Sequence, residues 1–314
     1  MEKRIFGQPV IEGLVVAILL GMLVRTLWLP PAFLDAGVRF TAREVLEVAV
    51  LLLGASVDLP RLLAAGPSLA VGIVLIVVLG IASSYTLGRL FGLPHKLSVL
   101  VACGNSICGN SAIAAVAPVI HARKEHVASA IAFTAILGVV VVVGLPLLRH
   151  PLLLNDYQFG VLAGLTIYSL PQVLAAAFPV SALSGQVGTL VKLVRVLMLG
   201  PVVLFFALRN RHDATAATAG EEVRFRLTRF IPWFIIGFLV MAMLRSTGAI
   251  PAAWIAPTQS ISSWLMIGSM AALGLGVDLK AISKVGRPVM ITVTASLTVL
   301  IVLSVSLIRL LAIR

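Results

Sequence analysis

Apolar runs of roughly 17 to 25 residues, each long enough to cross a hydrocarbon core about 30 Å thick as a helix, recur along the whole chain. They fall at 11–29, 44–59, 67–91, 97–120, 126–148, 158–178, 187–208, 230–246, 259–277 and 288–311, with short polar connections between them. Strands of a membrane barrel would be shorter and would alternate, which these runs do not. The pattern therefore predicts an all-α polytopic membrane protein of about ten transmembrane helices. Residues 1–314 read as one transporter-sized membrane domain. The first run leads into Arg25, Trp28 and Pro30 rather than a small-residue cleavage site, so it reads as a span and not as a signal peptide.

Two runs carry polar interruptions. LSVLVACGNSICGNSAIAAVAPVI at 97–120 places Gly104, Asn105, Ser106, Gly109, Asn110 and Ser111 at membrane depth. Backbone N–H and C=O groups find no water in hydrocarbon, so a break survives there only where protein or an aqueous cavity surrounds it. The glycines let the chain leave helical dihedrals. A half-helix starting near Asn110 then turns free N–H groups and its positive dipole end toward the gap, which suits an anion. Tight small-residue helix packing is the competing explanation, and it accounts for the glycines and serines better than for two asparagines. Segment 158–178 repeats the theme with Gly160, Gly164, Thr166, Tyr168, Ser169, Pro171 and Gln172, and a kink or interruption is expected near Pro171. A proline-kinked helix without a ligand is the alternative there. The next run holds Lys192 and Arg195, three apart on one helical face. Cations inside a span either line a polar cavity or snorkel to the interface.

Composition narrows the class. The chain is 60% hydrophobic and 11% charged, with mean hydropathy +1.11, and a water-soluble fold would lack polar surface to cover it. The net charge of +12 would suggest nucleic acid in a soluble domain, but the basic residues sit mostly between apolar runs, where they set orientation. Segment 209–229, rich in arginine, reads as the one substantial loop and as cytoplasmic. If all runs cross, Arg39, Arg43, Arg89, Lys96 and Arg149 share its side, while Arg123 and Lys124 lie opposite and both termini face outward. Cys103 and Cys108 suit neither a disulfide framework nor a metal site and read as small apolar fillers. No HExxH, GxSxG or Walker motif is present, so neither an enzyme nor a cofactor or metal is expected.

Internal repetition points to a transporter, because duplicated halves recur in such folds. LLGASVDLPRLLAAGP at 52–67 returns as ALGLGVDLKAISKVGR at 272–287, and SAIAAVAPV at 111–119 resembles QVLAAAFPV at 172–180. The first pair lies seven spans apart and predicts inverted halves. The second raises a difficulty of parity: two full crossings with one helix between them run parallel and cannot be inverted mates. Either one of them is re-entrant or the count is off by one.

The blocks ACGNSICGNSAIAAVAPVI, QVLAAA, VKLVRVLML, PWFIIGF and MAALGLGVDL, in this order over nearly the whole chain, resemble the sulfate-exporter family of bacterial inner-membrane proteins. The resemblance implies a secondary transporter related to the bile-acid-symporter and auxin-carrier superfamily, with inverted repeats and discontinuous helices. It also implies export of sulfate, sulfite or organosulfonates. Family members usually carry a His and an acidic residue before the Gln-Val, where this chain has Tyr168 and Ser169, which do not shuttle protons near neutral pH. The expected binding site comprises Asn105, Ser106, Asn110, Ser111, Tyr168, Ser169 and Gln172, with Lys192 and Arg195 supplying positive charge. The partners expected are a small anionic solute, the lipid bilayer and a coupling ion (H⁺ or Na⁺), without nucleic acid, and a homo-oligomer is compatible with them. A sodium-coupled symporter of an organic solute is the alternative function.

Overall fold

A computed structural model describes residues 9–28, 31–57, 66–210, 233–276 and 287–311. Every regular element in them is helical. In chain order these are α1 (Pro9–Leu27), α2 (Asp35–Phe40), α3 (Leu46–Leu53), α4 (Gly66–Leu90), α5 (His95–Ser106), α6 (Asn110–Val119), α7 (Lys124–Gly144), α8 (Asp156–Thr166), α9 (Leu170–Ala177), α10 (Ala182–Leu197), α11 (Leu199–Asn210), α12 (Trp233–Ser246), α13 (Ala252–Leu275) and α14 (Arg287–Leu310). A π-turn at Thr41–Val45 joins α2 to α3. Four stretches, Pro67–Leu90, Lys124–Leu148, Ala182–Arg209 and Arg287–Leu310, are each long and apolar enough to cross a membrane. Leu20, Leu23, Trp254 and Trp264 remain exposed on the outside, as lipid-facing positions do. The protein is thus an all-α polytopic membrane protein, as the apolar runs predict. Most of segment 209–229 and the Asp58 and Asp278 portions of the repeated motif lie outside the described residues.

The two interrupted runs turn back on themselves. Lys96 Nζ, at the start of α5, donates to the carbonyl of His121, just past the end of α6, at 2.9 Å. Between those ends the α-carbon of Gly104 faces the Ile113 side chain, so α5 and α6 lie antiparallel as one hairpin. The second hairpin, α8 and α9, closes in the same manner: Ser184 Oγ, at the start of α10, donates to the carbonyl of Asp156 at 2.6 Å. Gly160 and Gly164 of α8 press against the carbonyls of Ser184 and Gly188 in α10, so α8 and α10 run parallel, and α9 must have returned the chain to its starting level. A 12-residue and a 10-residue helix rise about 18 and 15 Å, roughly half a hydrocarbon core, which places the hairpin tip near mid-depth.

The hairpins enter from opposite faces. Gly88, near the end of α4, packs on Ser98 at the base of the first hairpin. Gly72, near the start of α4, packs on Leu307 of α14, while Arg309 Nη2 donates to the carbonyl of Leu152 beside the second hairpin at 2.6 Å. The parity difficulty dissolves, because both segments are re-entrant and α7 carries the chain across between them. It also moves charges. Arg123 and Lys124 join Arg89 and Lys96 on one face, and Arg149 moves to the other, the reverse of the placement that straight crossings imply.

Helices α1, α2–α3, α12 and α13 pack as one bundle, and α4 to α11 with α14 as a second. Within the first bundle α1 and α13 approach backbone to backbone at Gly21 and Gly274, a contact only small residues permit. Between the bundles, Gln186 Nε2 donates to the carbonyl of Ser56 at 3.2 Å.

Re-entrance is testable by accessibility. In a background lacking native cysteines, Phe91→Cys and Arg123→Cys are expected to react with an impermeant maleimide from the same face of oriented vesicles, and Leu153→Cys from the other. Labelling of positions 91 and 123 from opposite faces would show that 97–120 crosses.

Candidate functional site

Local chemistry sets both tips. Ile107 leaves helical geometry at φ −116°, ψ −85°, and Gly109 sits at φ +63°, ψ −123°, which a side-chain-bearing residue adopts only with strain. In the second hairpin Ile167 and Ser169 are extended, with ψ of 145° and 154°. Pro171 then falls in the first turn of α9, where its missing N–H costs nothing. The interruption sits immediately before the proline. Gln172 Oε1 accepts from the Ser169 N–H at 3.2 Å and steadies the restart of the helix. The tips meet where Gly109 lies against Tyr168, close enough that a β-carbon on the glycine would stand 3.3 Å from that of the tyrosine.

Lys192 and Arg195 of α10 hold the tips together. Lys192 Nζ donates to the carbonyls of Ile107 and Ile167, each at 2.7 Å, so one ammonium bridges both hairpins. Arg195 donates from Nε to Ser106 O at 3.1 Å and from Nη2 to Asn105 O at 3.2 Å. Its Nη1 reaches Gly164 O at 2.9 Å and Ile167 O at 3.4 Å. These acceptors are the orphan carbonyls at the C-terminal ends of α5 and α8, where each helix also concentrates about half a negative charge. Both cations are fully buried, so neither snorkels.

The remaining predicted residues divide into two groups. Asn110 and Ser111 are exposed at the start of α6, and Asn110 Oδ1 accepts a hydrogen bond from Thr134 Oγ1 of α7. Tyr168, 1% exposed, lays its ring edge-on to Phe133, its hydroxyl buried without a partner. Ser169 and Gln172 open α9 beside it. These five share the tip junction. Asn105 and Ser106 do not: their side chains face α4, where Asn105 Nδ2 donates to Ser84 Oγ at 3.0 Å and Ser106 lies against Gly80. Asn105 Oδ1 and Ser106 Oγ are left buried without partners. Gly160 and Gly164, grouped with the interruption by sequence, serve helix packing instead.

Two contributors were missed. Thr134 is a lone hydroxyl in an apolar run, a weak signal that Asn110 gives meaning. Gly138 had no signal at all, yet a β-carbon there would stand 2.0 Å from Gln172 Nε2. Its bareness makes the slot in which the Gln172 amide lies.

The model of the conserved hypothetical protein 698 family matches residues 2–293. The chain belongs to that family. It is 50% identical over 98% of its length to a UPF0324 membrane protein of Bradyrhizobium diazoefficiens, covering 87% of that protein. A UPF0324 membrane protein of Brucella melitensis is 51% identical over 100% of this chain and 86% of its own. The likeness reaches Clostridium tetani, at 33% identity over 87% of this chain and 81% of the relative. No solved structure matches.

Removing the clamp should cost stability before it costs anything else. Arg195→Ala strands the carbonyls of Asn105, Ser106 and Gly164, for a loss on the order of 3 kcal/mol or more. A clear fall in apparent Tm in detergent is expected, and an unchanged Tm would refute the clamp. Gly138→Ala is expected to keep the protein folded while displacing the Gln172 amide and loosening its cap on Ser169, read as a small fall in apparent Tm well short of that caused by Arg195→Ala.

Proposed function

We propose that this membrane protein is a secondary transporter of a small anion that works by alternating access. One observation carries the reading. Lys192 and Arg195 are fully buried at mid-membrane, and among the described residues the ion pairs are Arg43 with Glu44 and Glu47 and Arg149 with Asp156, so no described carboxylate neutralises the central pair. A buried charge without a counter-charge costs several kcal/mol. The C-terminal dipoles of α5 and α8 offset part of this, but α6 and α9 turn their positive N-terminal ends to the same junction. The remaining field favours an anion, and the unpaired N–H groups at the start of α6, with Asn110, Ser111, Tyr168, Ser169 and Gln172, supply neutral donors to direct it.

Hairpins that enter from opposite faces support an inverted-repeat architecture, in which the second bundle moves against the first about a central site. Gathering Arg89, Lys96, Arg123 and Lys124 on one face supports that face as cytoplasmic in a bacterial inner membrane. Sulfate, sulfite and organosulfonates, leaving the cell, are the solutes suggested by the family resemblance. The anion would come to this site beside a coupling ion, H⁺ or Na⁺.

The partnerless Asn105 Oδ1 and Ser106 Oγ favour a second reading, a sodium-coupled symporter of an organic solute, since such oxygens suit a hard cation. Arg195 bonds the backbone carbonyls of the same two residues and opposes a cation there by like charge.

Proteoliposome flux of labelled sulfate, sulfite and ethanesulfonate, with and without a sodium gradient, separates the two. Flux of at least one of these anions, reduced about tenfold or more by Asn110→Ala through loss of charge-directed hydrogen bonding, is expected, and its response to sodium tells which coupling ion accompanies it. Absence of flux for all three, with and without the sodium gradient, would overturn the anion reading.

A further inference from the structure

The two hairpins match in sequence and in build, but not in what covers them. SAIAAVAPV, which begins at Ser111 in α6, and QVLAAAFPV, which begins at Gln172 in α9, align Ser111, Ala114, Ala115 and Pro118 with Gln172, Ala175, Ala176 and Pro179. In α6, Asn110, Ser111, Ala114 and Pro118 are exposed, and helical spacing gathers them within about 100° of arc on one face. In α9 the corresponding surface is covered: Gln172 is 5% exposed, and Ala175 and Ala176 are fully buried. Packing gives the cause. Helix α9 lies against α1 and α13 of the first bundle, whereas α6 lies against α5, α7 and α11 of its own. The contact of Gln186 with Ser56 falls on the side of the second hairpin too, since Ser184, two residues earlier, bonds the carbonyl of Asp156 at that hairpin's base. The bundles thus close together along the second hairpin and leave the α6 face bare. A bare face at this depth meets either lipid or water. Asn110 and Ser111 stand on it at the tip, and hydrocarbon would offer a partner neither to their polar groups nor to the first N–H groups of α6. Lipid-facing residues elsewhere are large and apolar, as Leu20, Leu23 and Trp264 are. The α6 face is therefore wet, and it runs from the tip to a base where Lys96, Arg123 and Lys124 are exposed.

We infer that this conformation is the one open toward the base of the first hairpin, and that the solute travels between that face and the central site along Asn110, Ser111, Ala114 and Pro118 of α6. This rests on the anion-transport reading and goes beyond it by assigning the open side and the wall of the path. The wall suits such a cargo. Small side chains leave room beside the helix, and the cations at its mouth, Lys96, Arg123 and Lys124, draw anions inward. The path to the opposite face follows α9. It opens when the first bundle leaves Ala175 and Ala176 and covers Ala114 and Pro118 in exchange, so that the two mates alternate in burial.

The experiment places single cysteines in the full chain lacking its native cysteines, in oriented vesicles, and reads modification by the impermeant sulfonatoethyl methanethiosulfonate with mass spectrometry. Ala114→Cys and Pro118→Cys are expected to react from the face on which Arg123→Cys reacts. Ala175→Cys should react at least about tenfold more slowly from either face, as exposure only in a minor state allows. Leu20→Cys reports how a lipid-facing thiol behaves and should stay unmodified, because the reacting form is the thiolate. The two α6 positions are exposed and tolerate the change, and Ala176→Cys takes the place of Ala175→Cys should the latter lower the apparent Tm. Modification of Ala114→Cys should also stop flux of whichever of sulfate, sulfite or ethanesulfonate the unmodified variant carries. Failure of both α6 cysteines to react from the Arg123 face, reaction of Ala175→Cys as fast as Ala114→Cys, or flux that survives full modification would overturn the path while leaving anion transport standing. The expected labelling in vesicles that carry none of the three anions would uphold the open, wet α6 face and remove the anion reading instead.

Discussion

A peptide carbonyl at mid-membrane has no water to accept from, and the whole second bundle is arranged around this shortage. Ending α5 and α8 halfway through the bilayer creates two sets of orphan carbonyls that a continuous helix would have satisfied internally. Lys192 and Arg195 meet both sets from a single face of α10, with Lys192 touching one carbonyl from each hairpin. The glycine contacts follow from that requirement. Only with bare α-carbons at Gly160 and Gly164 can α8 lie close enough to α10 for Arg195 to reach Gly164 O and the tip beyond it.

The same pair makes the centre electrically unusual. In most buried clamps a carboxylate accompanies the cation, and the net field is small. Here the acceptors are neutral dipoles, and an ammonium with three donors and a guanidinium with five spend most of them on carbonyls. What remains for a ligand is mainly field, while directional bonding is left to the starts of α6 and α9. In the proposed site, holding the tips and attracting the ligand would both fall to Arg195 and Lys192, and recognition to Asn110, Ser111, Ser169 and Gln172.

Under the proposed carrier reading, packing indicates what would travel together. Both tips belong to the bundle of α4 to α11 and α14, so a solute held between them would travel with that bundle as a unit. The opposing bundle offers helices tied to one another at Gly21 and Gly274, with contacts to the second bundle such as Gln186 on Ser56. Two internally tight bundles meeting through contacts such as this one suit sliding or rocking better than local melting.

Much of this was legible without coordinates, because hydrocarbon imposes so few choices. Ten apolar runs, the all-α class, and the two interruptions follow from run length and from the cost of Gly, Asn and Ser at depth. Lys192 and Arg195 stood out because charges there are expensive. What the chain could not decide by itself was direction after each break. A three-residue turn can redirect a helix onward or back, and only the pairing of Gly104 with Ile113 and of Lys96 with His121 closes the hairpin. The fate of each polar side chain was equally beyond the linear pattern, since residues adjacent in sequence point about 100° apart on a helix and meet different neighbours. Asn105 and Ser106 thus face Gly80 and Ser84, whereas Asn110 faces Thr134. Gly138 illustrates the limit most plainly. Nothing in its own run marks it, and its role exists only because Gln172, thirty-odd residues later, comes to lie in the space it leaves.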